Sequence, residues 1–390
     1  MTQIAMIVSN RHDPDPRVHK EAIALTDAGY HVTIYAFDRM HELPQNDMIS
    51  GVAIKRIRVQ KSPIGNLAAT AIGLVAFRNA VKKELLKSKP TVIHCHDQDT
   101  CAVGLWWKIL GSKKAHVKEP KFIFDAHDLY WTWLLMADPK SLIRKFGAQI
   151  LKAQGHGYAK AADLVITVTQ GSKRHPGTAE VFQNWGINPE VIWNAPDEPL
   201  SIPPMPRQFT LGYIGSIREP AMFDWLIDAM SILTPKERPS LFVAGGGAAA
   251  DVVIKKLAVA SDKLGFSLKT TGRFSLDKIP TLIANTSIQY CVYPQDRGNI
   301  SRAMPVKLLD SVAYKRPVIG NKDTLMGDWI QRNKWGYQVP QANPEALAAA
   351  LRSARTDISN GTFNKMPTGP MWHKESKKLV NAYNHLLSRS

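Results

Sequence analysis

Short apolar runs and helical stripes alternate along most of the chain, in the order that builds parallel sheets. Gln3–Ser9 is a continuous apolar run ending in polar Asn10, which predicts a buried parallel strand. The loop Arg11–Arg17 leads to a helix predicted over Val18–Ala28; Gly29 ends it, and His31–Ala36 is the next strand. Val52–Val59 is a basic alternating strand, Asn66–Lys87 a helix, and Thr91–His94 and Phe122–Phe124 short apolar strands. Ala162–Thr169 closes this half, followed by Val191–Asn194. Ala195–Arg207 is rich in proline and has no period, which predicts a boundary. A second series follows: strands at Phe209–Ile214, Ser240–Ala244, Ser287–Tyr293 and Pro317–Gly320, with a helix from about Met222 to Leu233. Pro305 suits the first turn of another helix, whose buried stripe is Leu308, Leu309, Val312 and Ala313. Leu379, Tyr383 and Leu386 keep helical spacing in the tail, Trp372–Leu387.

The length of 390 residues is enough for two cores of ordinary size. Cys95, Cys101 and Cys291 are odd in number and lack metal-ligand spacing, as expected of reduced thiols in a cytoplasmic protein. Thr2–Ser9 is too short and lacks the basic start of a secretion signal, so none is expected, and the apolar run Leu67–Phe77 falls short of the roughly 20 residues of a spanning helix. The formal charge of +17 points to nucleic acid, anionic lipid or an anionic small molecule. No recognition-helix, zinc-finger or RNP-like motif accompanies it, so no nucleic-acid partner is expected. A glycine-rich dinucleotide fingerprint is also absent after the first strand, which argues against a nicotinamide enzyme.

Candidate chemistry collects at strand ends and helix starts. The helix beginning at Pro305 offers unpaired N–H groups, with Lys307 and Asp310 on its polar face. That set suits an anion such as a diphosphate, with Asp310 accepting hydroxyl hydrogen bonds from a ribose; the alternative is a solvated surface helix. Arg17 follows a strand's carboxyl end, where ligands bind in open α/β sheets, or else pairs with Asp13 or Asp15. His127 ends a strand, in a ligand site or in a structural hydrogen bond. Tyr130–Met136 crowds aromatic and aliphatic residues before Lys140, Arg144, Lys145, Lys152 and Lys160. This is the composition of an interfacial anchor on an anionic membrane, or of a core-packed helix with a solvated basic face.

Two segments carry a family resemblance. Asp15-Pro-Arg-Val-His-Lys-Glu-Ala22 resembles the first loop of family 4 glycosyltransferases of the GT-B fold. Asn299, Pro305, Lys307, Leu308 and Asp310, followed by Pro317-Val-Ile319, resemble their donor-nucleotide motif. The likeness runs nearly the full length and implies an α/β, GT-B architecture of two Rossmann-like domains facing a cleft. Residues 1–197 would form the acceptor-side domain, 198–370 the nucleotide-sugar domain, and 371–390 a helix crossing back to the first. It further implies a retaining, metal-independent transfer from a nucleoside-diphosphate sugar to an acceptor hydroxyl, with no cofactor. His127, Lys307 and Asp310 would be catalytic. Gly215, Arg218, Gly272, Arg273, Phe274, Asn299, Pro305 and Leu308 would bind the donor with them, and Arg17, His96 and Asp97 would lie on the acceptor side. Asp97-Gln-Asp99 spells the metal-binding pair of the other major glycosyltransferase fold, but in the wrong architecture, so no metal is expected. The charge suggests a lipid-linked polysaccharide or glycolipid precursor as acceptor, and a peripheral place on the inner face of the plasma membrane.

The chain departs from the family pattern at several points. Asp310 replaces a Glu, Arg302 stands where a second Glu is widespread, and Ser216 and Ala221 replace a phosphate-binding Arg and Lys. Arg218 is the candidate substitute. The alternatives are a nucleotide-sugar epimerase on the same scaffold, a non-catalytic family member, and a basic nucleic-acid-binding protein.

Overall fold

β-Branched and aromatic runs become the strands of two sheets in the computed structural model, which describes residues 2–13, 15–61, 67–136, 138–295 and 299–388. One unit comprises Met1–Gln170, Thr178–Asn194 and Lys374–Ser390; the other comprises Gly171–Gly177 and Ala195–His373. The strands of the first unit are β1 (Gln3–Val8), β2 (His31–Phe37), β3 (Asn46–Ile49), β4 (Val52–Ile57), β5 (Val92–His96), β6 (Lys121–Ala126), β7 (Leu164–Thr167) and β8 (Glu190–Val191). Their order across the sheet is β3-β4-β2-β1-β5-β6-β7-β8. All neighbours are parallel except β3 and β4. The pattern of the sequence did not predict β3. It is an edge strand joined to β4 through Ser50 and Gly51, both at positive φ as a two-residue hairpin turn demands.

The second unit contains β9 (Thr210–Ile214), β10 (Ser240–Ala244), β11 (Leu268–Thr271), β12 (Ile288–Cys291), β13 (Val318–Asn321) and β14 (Gly336–Val339). They pair in parallel in the order β11-β10-β9-β12-β13-β14. The expected pair of Rossmann-like units is therefore present. Each sheet has a point where strand order reverses, between β1 and β5 in one and between β9 and β12 in the other. Loops leaving the carboxyl ends of such neighbours diverge, and the crevice they leave is where open α/β sheets bind ligands.

Two helix starts differ from expectation. The first helix is Pro16–Asp27, not one beginning at Val18, because the Asp15 side chain caps it by accepting from the Val18 N–H at 3.3 Å and Pro16 takes its first turn. Pro305 is the N-cap of the helix Val306–Ala313, with extended backbone (φ −61°, ψ 133°), and so stands just before the first turn. Among the described residues, no helix is long and apolar enough to cross a membrane.

Candidate functional site

In the first unit, strand alternation sorts β5 and β6 into an apolar and a polar face. Ile93, Cys95, Phe122 and Phe124 enter the hydrophobic core. The alternate positions His94, His96 and Asp125 face the other way, and His96 is registered directly against Asp125. Two helices carry polar groups to that face. Arg17 and Glu21 are one turn apart within the buried stripe Val18, Ala22 and Leu25 of Pro16–Asp27. Tyr383 of the helix Trp372–Ser388 is 2.7 Å from His94 Nδ1 through its hydroxyl.

The Arg17 guanidinium donates to both oxygens of Asp125, Nη2 to Oδ1 at 3.0 Å and Nε to Oδ2 at 3.2 Å, and Nη1 donates to the Ile192 carbonyl at 2.9 Å. It also meets Glu21 Oε1 at 3.0 Å. Arg17 is 3% exposed, so it organises this cluster through Asp125 and does not reach an acceptor as expected from sequence; nor does it pair with Asp13 or Asp15. His96, at 2% exposed, is likewise internal. His127 is 19% exposed and forms the outer edge, with Nε2 2.9 Å from Asp125 Oδ2 and Nδ1 3.6 Å from Asp97 Oδ2. The Asp97 carboxylate accepts the His127 backbone N–H at 3.0 Å, and Asp97 itself sits at φ +63°.

Burial is the largest influence on each of these groups, and neighbours decide which of them yields. Burial alone would lower His127, but Asp125 and Asp97 overcome it and raise its pKa to about 10. Asp125 is held well below the usual carboxylate range, because Arg17 and His127 outweigh its own desolvation. Glu21 makes no aligned hydrogen bond, and burial pushes it up to about 8 despite Arg17. Burial likewise brings Asp97 to about 7 and drives His94 and His96 down. Two cations therefore share one firmly ionised carboxylate, and the exposed cation is His127.

Glu21, His94, His96 and Asp125 bring possible metal-ligand atoms within 4.8 Å of one another. Arg17 already clamps Asp125 with two donors, so a divalent ion there would face a fixed guanidinium and the His127 imidazolium. The Asp97 and Asp99 carboxylates are not a pair: Asp97 caps His127, while Asp99 accepts the Tyr130 hydroxyl at 2.9 Å.

In the second unit the loops after β9, β10 and β11 stack on one another at the carboxyl end of the sheet. A methyl group on Gly245 would lie 1.9 Å from the Gly215 carbonyl oxygen, and one on Gly246 would lie 2.7 Å from Arg273 Cγ. Gly215 and Gly245 hold φ of +143° and +142°. Over this platform, Lys307 places its ammonium 3.5 Å from the centre of the Tyr213 ring and 5.5 Å from that of Tyr293, with its side chain against Gly215. No carboxylate lies within ion-pair distance of Lys307 among the described residues. Burial lowers its pKa to about 8; Cys291 opposes that shift and Arg218 adds to it. Arg218 is exposed, with Nε donating to Ser216 Oγ at 3.0 Å. Gly272 and Arg273 are exposed and Phe274 packs on Ile214, Phe242, Ala244 and Ile283. Asn299 and Asp310 are half-buried, and Leu308 is fully buried, anchoring the helix that carries Lys307.

Sequence reasoning missed Glu21, Asp125, Tyr213, Tyr293 and Tyr383 as parts of these clusters. Two signals were available. Arg17 and Glu21 share the phase of an apolar stripe, and His94, His96 and Asp125 interrupt otherwise apolar strands.

The Glycosyltransferase Family 4 description matches residues 17–198, and the Glycosyl transferases group 1 description matches residues 208–357. No curated protein matches the chain. Among solved structures, sucrose-phosphate synthase from Thermosynechococcus elongatus is similar at 15% identity and a TM-score of 0.74, covering 100% of both chains. Anabaena HepE in complex with UDP is similar at 13% identity and a TM-score of 0.64, covering 99% of this chain and 100% of its own. The lipopolysaccharide outer core galactosyltransferase WaaB aligns at 16% identity and a TM-score of 0.56, over 98% of this chain and 100% of its own.

Proposed function

Because the chain belongs to the family 4-like glycosyltransferases of the GT-B fold, we propose that it moves a sugar from a nucleoside-diphosphate sugar to an acceptor hydroxyl, with retention and without a metal. The observation that carries the donor reading is Lys307: an ammonium with no carboxylate partner among the described residues, at a helix start, where strand order reverses between β9 and β12. A half-buried cation with no carboxylate beside it favours a ligand that brings an anion, and preset positive charge stabilises a departing diphosphate. HepE's bound UDP supports this class of donor here.

In this reading Lys307 and the N–H groups at Val306–Ala313 take the diphosphate, with Arg218 in place of the missing phosphate-binding Arg and Lys. Asp310 takes the ribose, and the loop Gly272-Arg273-Phe274 takes the base. His127 Nδ1 is farther from Asp97 than a hydrogen bond reaches, so its N–H is available to a substrate hydroxyl. Arg17 and Asp125 hold that imidazolium in place. The leaving phosphate accepts the acceptor's proton as the new bond forms and the old one breaks on the same face. A lipid-linked acceptor suits the charge of +17.

A panel of UDP-, GDP- and ADP-sugars, read by nucleoside diphosphate release and by the anomeric configuration of the product, tests this reading. Lys307→Ala and Asp310→Ala should abolish release while the melting temperature stays unchanged. Wild-type turnover in either variant would overturn the assignment.

A further inference from the structure

The sequence places an interfacial anchor at Tyr130–Met136, but much of that segment is spent on packing. Trp131 lies 5.5 Å from Trp185 ring to ring, and Thr132 is buried. The exposed apolar side chains begin later, on the helix Leu142–Ala161. Leu142, Ile143, Phe146 and Ile150 are 79%, 85%, 70% and 54% exposed. At 100° per residue they span an arc of about 100°. The residues this helix buries, Ala148, Gly155, Tyr158 and Ala159, lie on the opposite side. Apart from Tyr158, the helix thus turns small residues inward and large apolar residues outward at its start, the reverse of an ordinary surface helix.

We propose that the first turns of Leu142–Ala161 seat this enzyme on an anionic bilayer surface. The inference builds on the lipid-linked acceptor proposed above. Charge complementarity selects this occupant. Lys140 and Lys145 are exposed beside the apolar arc, Lys152 follows two turns after Lys145, no acidic residue falls between Lys140 and Ala161, and the whole chain carries +17. An apolar arc rimmed by lysines fits an acyl boundary beneath anionic headgroups. Local contacts fix the start of the helix, since Ser141 caps its Arg144 N–H, Arg144 Nη1 donates to the Leu134 carbonyl at 3.2 Å, and Gly147 lets Leu134 lie close. Trp133, 46% exposed on the preceding helix Trp131–Met136, adds a ring of the kind that favours the interface.

Co-sedimentation of the full chain with vesicles of phosphatidylglycerol and phosphatidylcholine, against phosphatidylcholine alone, tests the proposal. The wild type should bind the mixed vesicles and weaken with salt. Ile143→Glu/Phe146→Glu should lose at least about tenfold in partitioning, and Lys140→Glu/Lys145→Glu should lose the preference for anionic lipid, with melting temperatures unchanged in both. A wild type that stays in solution at low salt overturns the proposal. So does undiminished binding by the Ile143→Glu/Phe146→Glu variant, or a wild-type dimer that this variant dissociates without any vesicle binding. Nucleotide-sugar hydrolysis in solution reports the donor chemistry separately. Vesicle binding without transfer to a lipid-linked acceptor removes only the acceptor reading, and transfer in detergent without vesicle binding removes only the docking surface.

Discussion

Arg17 and Asp125, separated by 108 positions in the chain, are joined by three hydrogen bonds of 3.0, 3.1 and 3.2 Å, with both side chains out of solvent. The pair ties the first helix to β6 beside the point where the sheet reverses order. Removing one partner of such a pair strands the other as a buried charge, at a cost of about 3–5 kcal/mol. Arg17→Ala should therefore lower the urea midpoint steeply. Arg17→Lys should recover part of the loss, since an ammonium restores charge but not the planar fork. Chemical denaturation of the two variants measures the difference; equal loss would mean that geometry contributes nothing.

His127 should titrate near pH 10 instead of 6.5. Its folded-state pKa is raised, so its contribution to stability is complete below the unfolded value of 6.5 and is lost as pH rises through about 10. Glu21, raised to about 8, acts with the same sign over a lower window, which begins at its unfolded value of 4.5. The expected result is an imidazole ring still protonated at pH 8 by NMR. The decline in stability from pH 6.5 to 10 should also be shallower in His127→Gln than in the wild type.

The two βα series, the linker near Ala195 and the helix at Val306–Ala313 were legible in the sequence because each rests on local periodicity. The edge strand β3 was not. Asn46–Ile49 (Asn-Asp-Met-Ile) is short, half exposed and does not alternate apolar with polar, and only its pairing with β4 makes it a strand. The helix that carries Lys307 and Asp310 was legible, whereas the ring of Tyr213 beneath the Lys307 ammonium was not, because 94 residues of chain separate the two (307 − 213). Arg17 was singled out for its position at a helix start, but its partner Asp125 emerges only once β5 and β6 are in register. Charge pairs that cross a sheet leave no periodic trace.

Two glycines at positive φ should respond differently to alanine. Gly265 (φ +72°) ends the helix Ala250–Leu264, and an added methyl would meet nothing within 4 Å. Gly265→Ala should cost only the left-handed backbone term, about 1–2 kcal/mol, and leave donor affinity unchanged. At Gly245 the methyl would strike the Gly215 carbonyl at 1.9 Å, displacing the loop against which Lys307 lies. Gly245→Ala should lower stability further and weaken nucleoside diphosphate binding as well. Calorimetric melting with a UDP titration separates the two effects.

Lys307, lowered to about 8 by its burial, gives the donor site its own pH signature. A bound diphosphate stabilises the charged ammonium, so binding should draw a proton onto Lys307 wherever the free lysine is partly neutral. Affinity is then level below about pH 8 and falls above it, approaching a tenfold loss per unit of pH. Binding enthalpies measured in buffers of different ionisation heat should show proton uptake that grows between pH 7 and 9. Lys307→Met should bind weakly and without that uptake. A wild-type affinity that stays flat to pH 9.5 would mean that the ammonium over Tyr213 does not meet the diphosphate.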